Sequence, residues 1–256
     1  GKTGQDHNSQ DLSPQNIDLL ERVGRWFDRR FPGKQLDGIA YCGQMPAPAK
    51  QIRAGFTVSF ANYWRDYRHP VSKGSPRNAV FGRALAGWNR ALNGGDRLHL
   101  YEYFLGFMTA ISSPFYLLNA MRRDLALYRR TGLVAGLSTE VEPCFWTPKP
   151  VTLYLLARQL WGPIQAPEPL VREFSLGYFG AAAGEMIRFY EACEAAYERL
   201  DHYTCDQDAV RRAMTPAVMR RLRALVRQGL AKTRGKTHAR LRGINRILDF
   251  TALLTQ

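Results

Sequence analysis

The chain has 256 residues, 45% hydrophobic and 23% charged, which allows a sizeable core in one large or two modest domains. No apolar run reaches the eighteen or so residues of a membrane helix. Four dispersed cysteines, Cys42, Cys144, Cys193 and Cys205, form no Cys-x-x-Cys pair or Cys/His cluster and argue against a structural zinc site or a disulfide framework.

The net charge of +14 is uneven. Between Ala209 and Leu248 there is no acid but twelve Lys or Arg, from Arg211 and Arg212 to Arg246. Such a block can neutralise phosphate backbones or form the solvated face of terminal helices. It contains no Phe, Tyr or Trp for base stacking, which argues against a nucleic-acid partner. The chain does not begin with Met and shows no signal pattern, so it reads as a processed product or a piece of something longer. The compartment stays open.

Residues 1–12 are polar and turn-rich and read as a flexible tail; the GKT at its start lacks the strand and glycine turn of a phosphate loop. Ser13-Pro14 opens a helix with apolar Ile17, Leu20, Val23 and Phe27, ending near Phe31-Pro32-Gly33. LDGIAYCG (36–43) and IRAGFTVSF (52–60) read as strands, and residues 76–92 as a helix closed by Asn93-Gly94-Gly95. DRLHLYEYFLG (96–106) contains a third strand over 97–104, with the acid Glu102 between two tyrosines. A helix is expected from Ser113-Pro114 to Gly132, then a fourth strand over 133–141. From Pro148 onward every periodic segment is helical, with Gly180 as a turn between two helices and a packed stripe from Met186 to Tyr197.

Strand–helix alternation implies a parallel sheet. The expected class is α/β: part of a TIM barrel over 13–147, then an all-helical, terminally basic region over 148–256. In such barrels function sits at the carboxyl ends of the strands. Reading each strand to that end collects Tyr41, Asn62, Tyr63, Arg65, His69, Tyr101, Glu102, Tyr103, Glu140, Glu142 and Trp146. Aromatic faces, carboxylates and amides in this mixture suit sugars, and glycoside cleavage needs two carboxyl groups. Each residue also has a plainer reading. Glu102 could pair with Arg65 or Arg68, Glu140 and Glu142 could be loop acids, and His69 a hydrogen-bonding loop residue. Trp64, Trp88, Trp146 and Trp161 are core candidates, with Trp146 the best placed to meet a ligand, and Cys144 reads as a small core residue.

The succession AYCGQMPAP, YWRDYRHPV, GWNRAL, DRLHLYEYF, SSPF and TGLVAGLSTE resembles the proteins labelled domain of unknown function 4838. LARQLWGP and GYFGAAAGEMIRFYEACE continue the likeness, which runs from about Leu12 to about Leu200. These proteins are similar to glycoside hydrolase family 163, endo-β-N-acetylglucosaminidases, and more distantly to α-glucuronidases and hexosaminidases. The resemblance implies that the four strands are barrel strands five to eight and that Glu102 is the strand-seven carboxylate, nucleophile or charge stabiliser. It implies that Tyr101, Tyr103 and Glu140 contact substrate, beside Asn62, Tyr63, Tyr41 and Trp146, with no metal and no cofactor. The expected partner is a glycan containing N-acetylglucosamine. The proton-donating acid of this architecture usually ends strand four, which should lie upstream of Gly1, and Asp6, Asp11, Glu21 and Asp28 are unconvincing substitutes. A missing amino-terminal barrel half is therefore a further expected partner. The alternatives are a non-catalytic carbohydrate-binding protein and a basic nucleic-acid-associated module.

Overall fold

The computed structural model describes residues 13–53, 55–107, 110, 112–132, 134–141 and 149–255. The elements alternate as in an α/β protein: α1 (Ser13–Arg30), β1 (Leu36–Ala40), β2 (Phe56–Ala61), α2 (Pro76–Ala91), β3 (Leu98–Glu102), α3 (Leu118–Thr131) and β4 (Gly136–Thr139). Helices follow: α4 (Pro150–Trp161), α5 (Pro167–Phe179), α6 (Ala183–Glu198), α7 (Gln207–Ala213), α8 (Pro216–Ala231) and α9 (Gly235–Leu254). The strands form one parallel sheet in the order β1-β2-β3-β4. None of the described helices is long and apolar enough to cross a membrane.

Two compact units interleave along the chain. The first comprises residues up to Arg65, Val71–Tyr103 and Leu127–Thr139, and the second Asp66–Pro70, Phe104–Ala126 and the residues from Glu140 onward. In the first unit, Ala40, Phe56, Val58, Phe60, Leu98 and Leu100 are buried on the sheet. Helices cover that face: a Cβ on Gly38 would meet Leu20 of α1, and Phe60 packs edge-on against Phe81 of α2. The buried line of α1 runs through Ile17, Glu21 and Gly24 rather than through Val23, which is 36% exposed. Glu21 tolerates that place because its carboxylate accepts from the Arg53 N–H at 2.6 Å and from Arg25.

In the second unit α6 is central, packed against α5, α7 and α8. Its stripe Met186, Phe189, Tyr190, Cys193 and Tyr197 is buried, and Gly180 turns the chain between α5 and α6 at φ +51°. Trp161 is 97% exposed rather than core. The buried face of α4 runs through Val151, Leu155 and Gln159, and residue 161 falls on the opposite side of the helix. The basic block is partly tied into this unit. Arg212 meets Asp201 and Asp208, Arg223 meets Asp249, Lys232 meets Glu185, and the Arg240 guanidinium lies 3.9 Å from the centre of the Tyr178 ring.

The helix expected from Ser113 begins five residues later, at Leu118. Lys149 explains the delay. Buried to 1% exposure, its ammonium donates to the carbonyls of Ala110, Ser113 and Phe115 at 3.4, 3.1 and 2.6 Å. The last two carbonyls would otherwise accept from the following helical turn. Glu194 of α6, not Ser113, caps α3, accepting from the Asn119 N–H at 2.6 Å. The strands are also shorter than expected, because turns claim their ends: a 3₁₀ turn occupies Cys42–Gln44, and β4 begins only at Gly136.

Two outcomes follow. Burial beside Glu198 and Glu168 pushes the Glu194 carboxyl from 4.5 up to about 7, although the Asn119 N–H opposes the shift. The folded chain therefore holds this proton more tightly, and the stability it contributes is present below about pH 4.5 and lost as pH rises through about 7. Glu194→Gln should flatten that slope in denaturation midpoints measured across this window. Gly87→Ala in α2 should gain about 1 kcal/mol on helix propensity alone. Its Cβ would stand only 2.6 Å from the Ala47 Cβ, so a lower thermal midpoint is expected. A higher one would mean that the 45–51 loop yields.

Candidate functional site at the carboxyl ends of the strands

Side chains alternate along β3: Leu98, Leu100 and Glu102 are buried, whereas His99 and Tyr101 are half-buried. Glu102 therefore shares the helix-covered face of the sheet, and Tyr101 points to the other. A carboxylate there needs donors, and Glu102, at 0% exposure, has them on both oxygens. Oε1 accepts from Asn62 Nδ2 at 2.8 Å and from the Tyr128 hydroxyl at 2.5 Å, and Oε2 from Arg65 Nη2 at 3.5 Å. The main-chain carbonyl of Glu102 accepts from the Thr139 hydroxyl of β4 at 2.9 Å. Every partner donates, which is the set an ionised carboxylate accepts.

Local backbone puts these donors in place. After β2 the chain turns tightly, with the Arg65 N–H donating to the Asn62 carbonyl at 3.3 Å. Trp64, the third residue of that turn, has φ +64°, a region that favours glycine. Arg77 Nη1 of α2 holds the Trp64 carbonyl at 3.1 Å. The turn thereby returns Arg65 to Glu102, at a backbone cost of about 1–2 kcal/mol. Tyr128 comes from the last turn and a half of α3. Sequence reasoning offered Arg65 as a plain partner for Glu102 but missed Tyr128, whose helical spacing makes it resemble any core tyrosine.

Aromatic rings gather at the same strand ends. Tyr63 lies 5.7 Å from Tyr41, 4.7 Å from Trp64 and 5.2 Å from Tyr103 between ring centres, and Tyr103 lies 5.4 Å from Tyr101. Tyr41, Tyr63, Trp64 and Tyr101 are half-buried, and Tyr103 is 5% exposed. Two buried polar atoms here, Asn62 Oδ1 and Trp64 Nε1, have no hydrogen-bond partner among the described residues.

The remaining expected residues fall elsewhere. Glu140 is half-buried, belongs to the second unit and makes none of the contacts to Glu102. Trp146, with Glu142 and Cys144, lies outside the described residues. In the second unit, His69 Nδ1 meets Asp66 Oδ2 at 2.7 Å, and Asp66 Oδ1 accepts from the N–H groups of Arg68 and Tyr203. That is a loop-locking arrangement. Glu21 and Asp28 are spent on the backbone N–H groups of Arg53 and Gly55. No cluster of three His, Cys, Asp or Glu side chains able to hold a metal occurs among the described residues.

In comparisons with known proteins, the family described as Domain of unknown function (DUF4838) matches residues 2–192. No curated protein and no solved structure matches the chain.

Removing one partner of a buried charge cluster costs about 3–5 kcal/mol. Glu102→Ala, which strands Asn62, Tyr128 and Arg65, is expected to fall in that range in chemical denaturation. Tyr128→Phe leaves Asn62 on the same oxygen and should cost about 1.5–3 kcal/mol. Equal losses for the two variants would mean that Tyr128 alone carries the network.

Proposed function

The chain belongs to the DUF4838 family, and from that premise we propose a glycoside hydrolase-like carbohydrate protein whose described residues bind glycan without completing a hydrolytic pair. The substrate class is glycans containing N-acetylglucosamine, as in the hydrolases the sequence resembles. The carrying observation is the row of four half-buried aromatic side chains, Tyr41, Tyr63, Trp64 and Tyr101, across the carboxyl ends of three adjacent parallel strands. Ring faces of this kind cover the apolar side of a sugar.

In this reading the four strands correspond to strands five to eight of a (β/α)₈ barrel, followed by a helical region. Their consecutive parallel order with helices on one face supports that. An upstream half would pair with β1 and β4, the edge strands of the sheet. Glu102 then positions the strand ends: it faces the helices, and three donors fill its oxygens. A hydrolase reading would require Glu102, now buried with donors on both oxygens, to turn an oxygen toward the substrate.

The test is calorimetric titration with chitooligosaccharides, alongside a hydrolysis assay on glycans containing N-acetylglucosamine. Binding without turnover is expected, weakened about tenfold by Tyr63→Ala or Tyr101→Ala, the usual scale for an aromatic anchor. Absence of binding overturns the proposal. Turnover that disappears in a folded Glu102→Gln variant overturns the binding-only reading and makes Glu102 catalytic.

A further inference from the structure

The basic block folds as a hairpin of two helices. Residues 232–234 alone join α8 to α9, and the two helices pack against each other. Met219, Leu222, Val226 and Gly229 form the buried side of α8, and Leu241, Ile244, Leu248 and Thr251 that of α9. The opposite sides face water. At helical spacing they carry Arg220, Arg227 and Ala231 on α8, and Ala239, Arg242, Arg246 and Leu253 on α9.

One ion pair joins these two sides into a single surface. Arg223 Nη1 meets Asp249 Oδ1 at 2.6 Å across the seam between the helices, and the two side chains stay 31% and 54% exposed. Arg223 stands one turn from both Arg220 and Arg227, and Asp249 one turn from both Arg246 and Leu253. The outward arginines of α8 and α9 therefore flank the same bridge. Asp249 is the only acid of the hairpin, so the bridge uses its one negative charge. Arg220, Arg227, Arg242 and Arg246 are exposed and have no ion-pair partner among the described residues.

Two large apolar side chains share this surface. Phe250 and Leu253, one and two turns beyond Arg246, are 37% and 70% exposed. The mixture separates the anionic partners that could meet the hairpin. A polyanion such as duplex DNA would pair with the arginines and leave Phe250 and Leu253 in water. A bilayer with anionic headgroups accepts both kinds of group: guanidinium groups stop at the phosphates while apolar side chains enter the acyl boundary. The alanines between the arginines, Ala224, Ala231 and Ala239, put no bulky side chain in the way of close approach. None of the described helices can cross a membrane, so α8 and α9 would lie along its surface.

We propose that the outer side of the α8–α9 hairpin docks on a membrane surface rich in anionic lipid. Arg220, Arg227, Arg242 and Arg246 then meet headgroup phosphates, and Phe250 and Leu253 enter the acyl boundary. The surface belongs to the helical unit and stands whether or not the strand ends bind glycan. The experiment is co-sedimentation of the full chain with mixed phosphatidylserine–phosphatidylcholine vesicles and with phosphatidylcholine vesicles, beside a titration with duplex DNA. Binding to the anionic vesicles is expected, far above that to the neutral ones, and it should weaken as salt is raised. Arg227→Ala/Arg242→Ala should reduce affinity about thirtyfold, the scale of two cations at an anionic lipid surface. Leu253→Ser should reduce it about tenfold, the scale of one apolar side chain kept out of the acyl boundary, and should leave any binding to DNA unchanged. All three side chains are exposed, so both variants should keep the parent's circular dichroism spectrum. Absence of binding to the anionic vesicles, equal binding to both kinds, or unchanged affinity in either variant would overturn the proposal. Binding to DNA but not to vesicles would overturn it too, and would assign the arginines to nucleic acid.

Discussion

A carboxylate with no exposure to water sets the terms for the sheet. Glu102 lies on the face that also carries Leu98 and Leu100, so its negative charge must be met by donors brought from other elements. Asn62 and Arg65 come from the turn after β2, and Tyr128 from α3. Three features that look independent follow from this demand: the left-handed Trp64, the phase at which α3 presents Tyr128, and the end of β2 at Ala61. Such a network need not raise stability above that of an apolar replacement. What it fixes is geometry, because few other arrangements of these segments satisfy the same oxygens.

The two faces of β3 thereby take different duties. Glu102 and the backbone it braces lie on the helix side, and Tyr101 lies on the other. Aromatic side chains at the strand ends inherit a rigid base, since the turn that carries Tyr63 and Trp64 is the turn that delivers Arg65 to the carboxylate. If the row binds glycan as proposed, a surface held this way loses little freedom when the ligand arrives. The same bracing makes Glu102 expensive to expose, which favours the positioning role proposed for it over a catalytic one.

Much of the fold was legible in the sequence because it rests on short-range signals. Ser75 and Pro76 open α2 as their chemistry dictates, and alternation with helices gave the parallel sheet. What escaped was decided by distant partners. Ser113-Pro114 looks like a helix start, yet Lys149, more than thirty residues away, takes the carbonyls that a first turn would use. Trp161 looks like core by composition, and only the phase of α4 shows that it is not. For the site, reading the strand ends collected Tyr41, Tyr63, Tyr101 and Tyr103, whereas Trp64, expected in the core, lies half-buried beside Tyr63. Glu102 has the parity of Leu98 and Leu100 wherever β3 starts, so alternation places it on their face, while Tyr128, a donor it meets there, comes from a helix more than twenty residues later.

The irregular connections share one device. After β1, the Trp88 indole and the Arg97 guanidinium hold the carbonyls of Met45 and Ile52. After β2, Arg77 holds the carbonyl of Trp64. After β3, Lys149 gathers three carbonyls at once, although burial pushes its own pKa well down from the usual lysine range. In each case a long donor side chain from later in the sequence takes backbone acceptors in a stretch that no helix or strand orders. Segments without regular hydrogen bonding thus acquire fixed partners, which lowers the number of conformations they can visit. Loops at the carboxyl edge of a parallel sheet usually combine variable sequence with mobility. Here individual carbonyls are held by single donor side chains, so one donor substitution would release one loop while leaving the others in place.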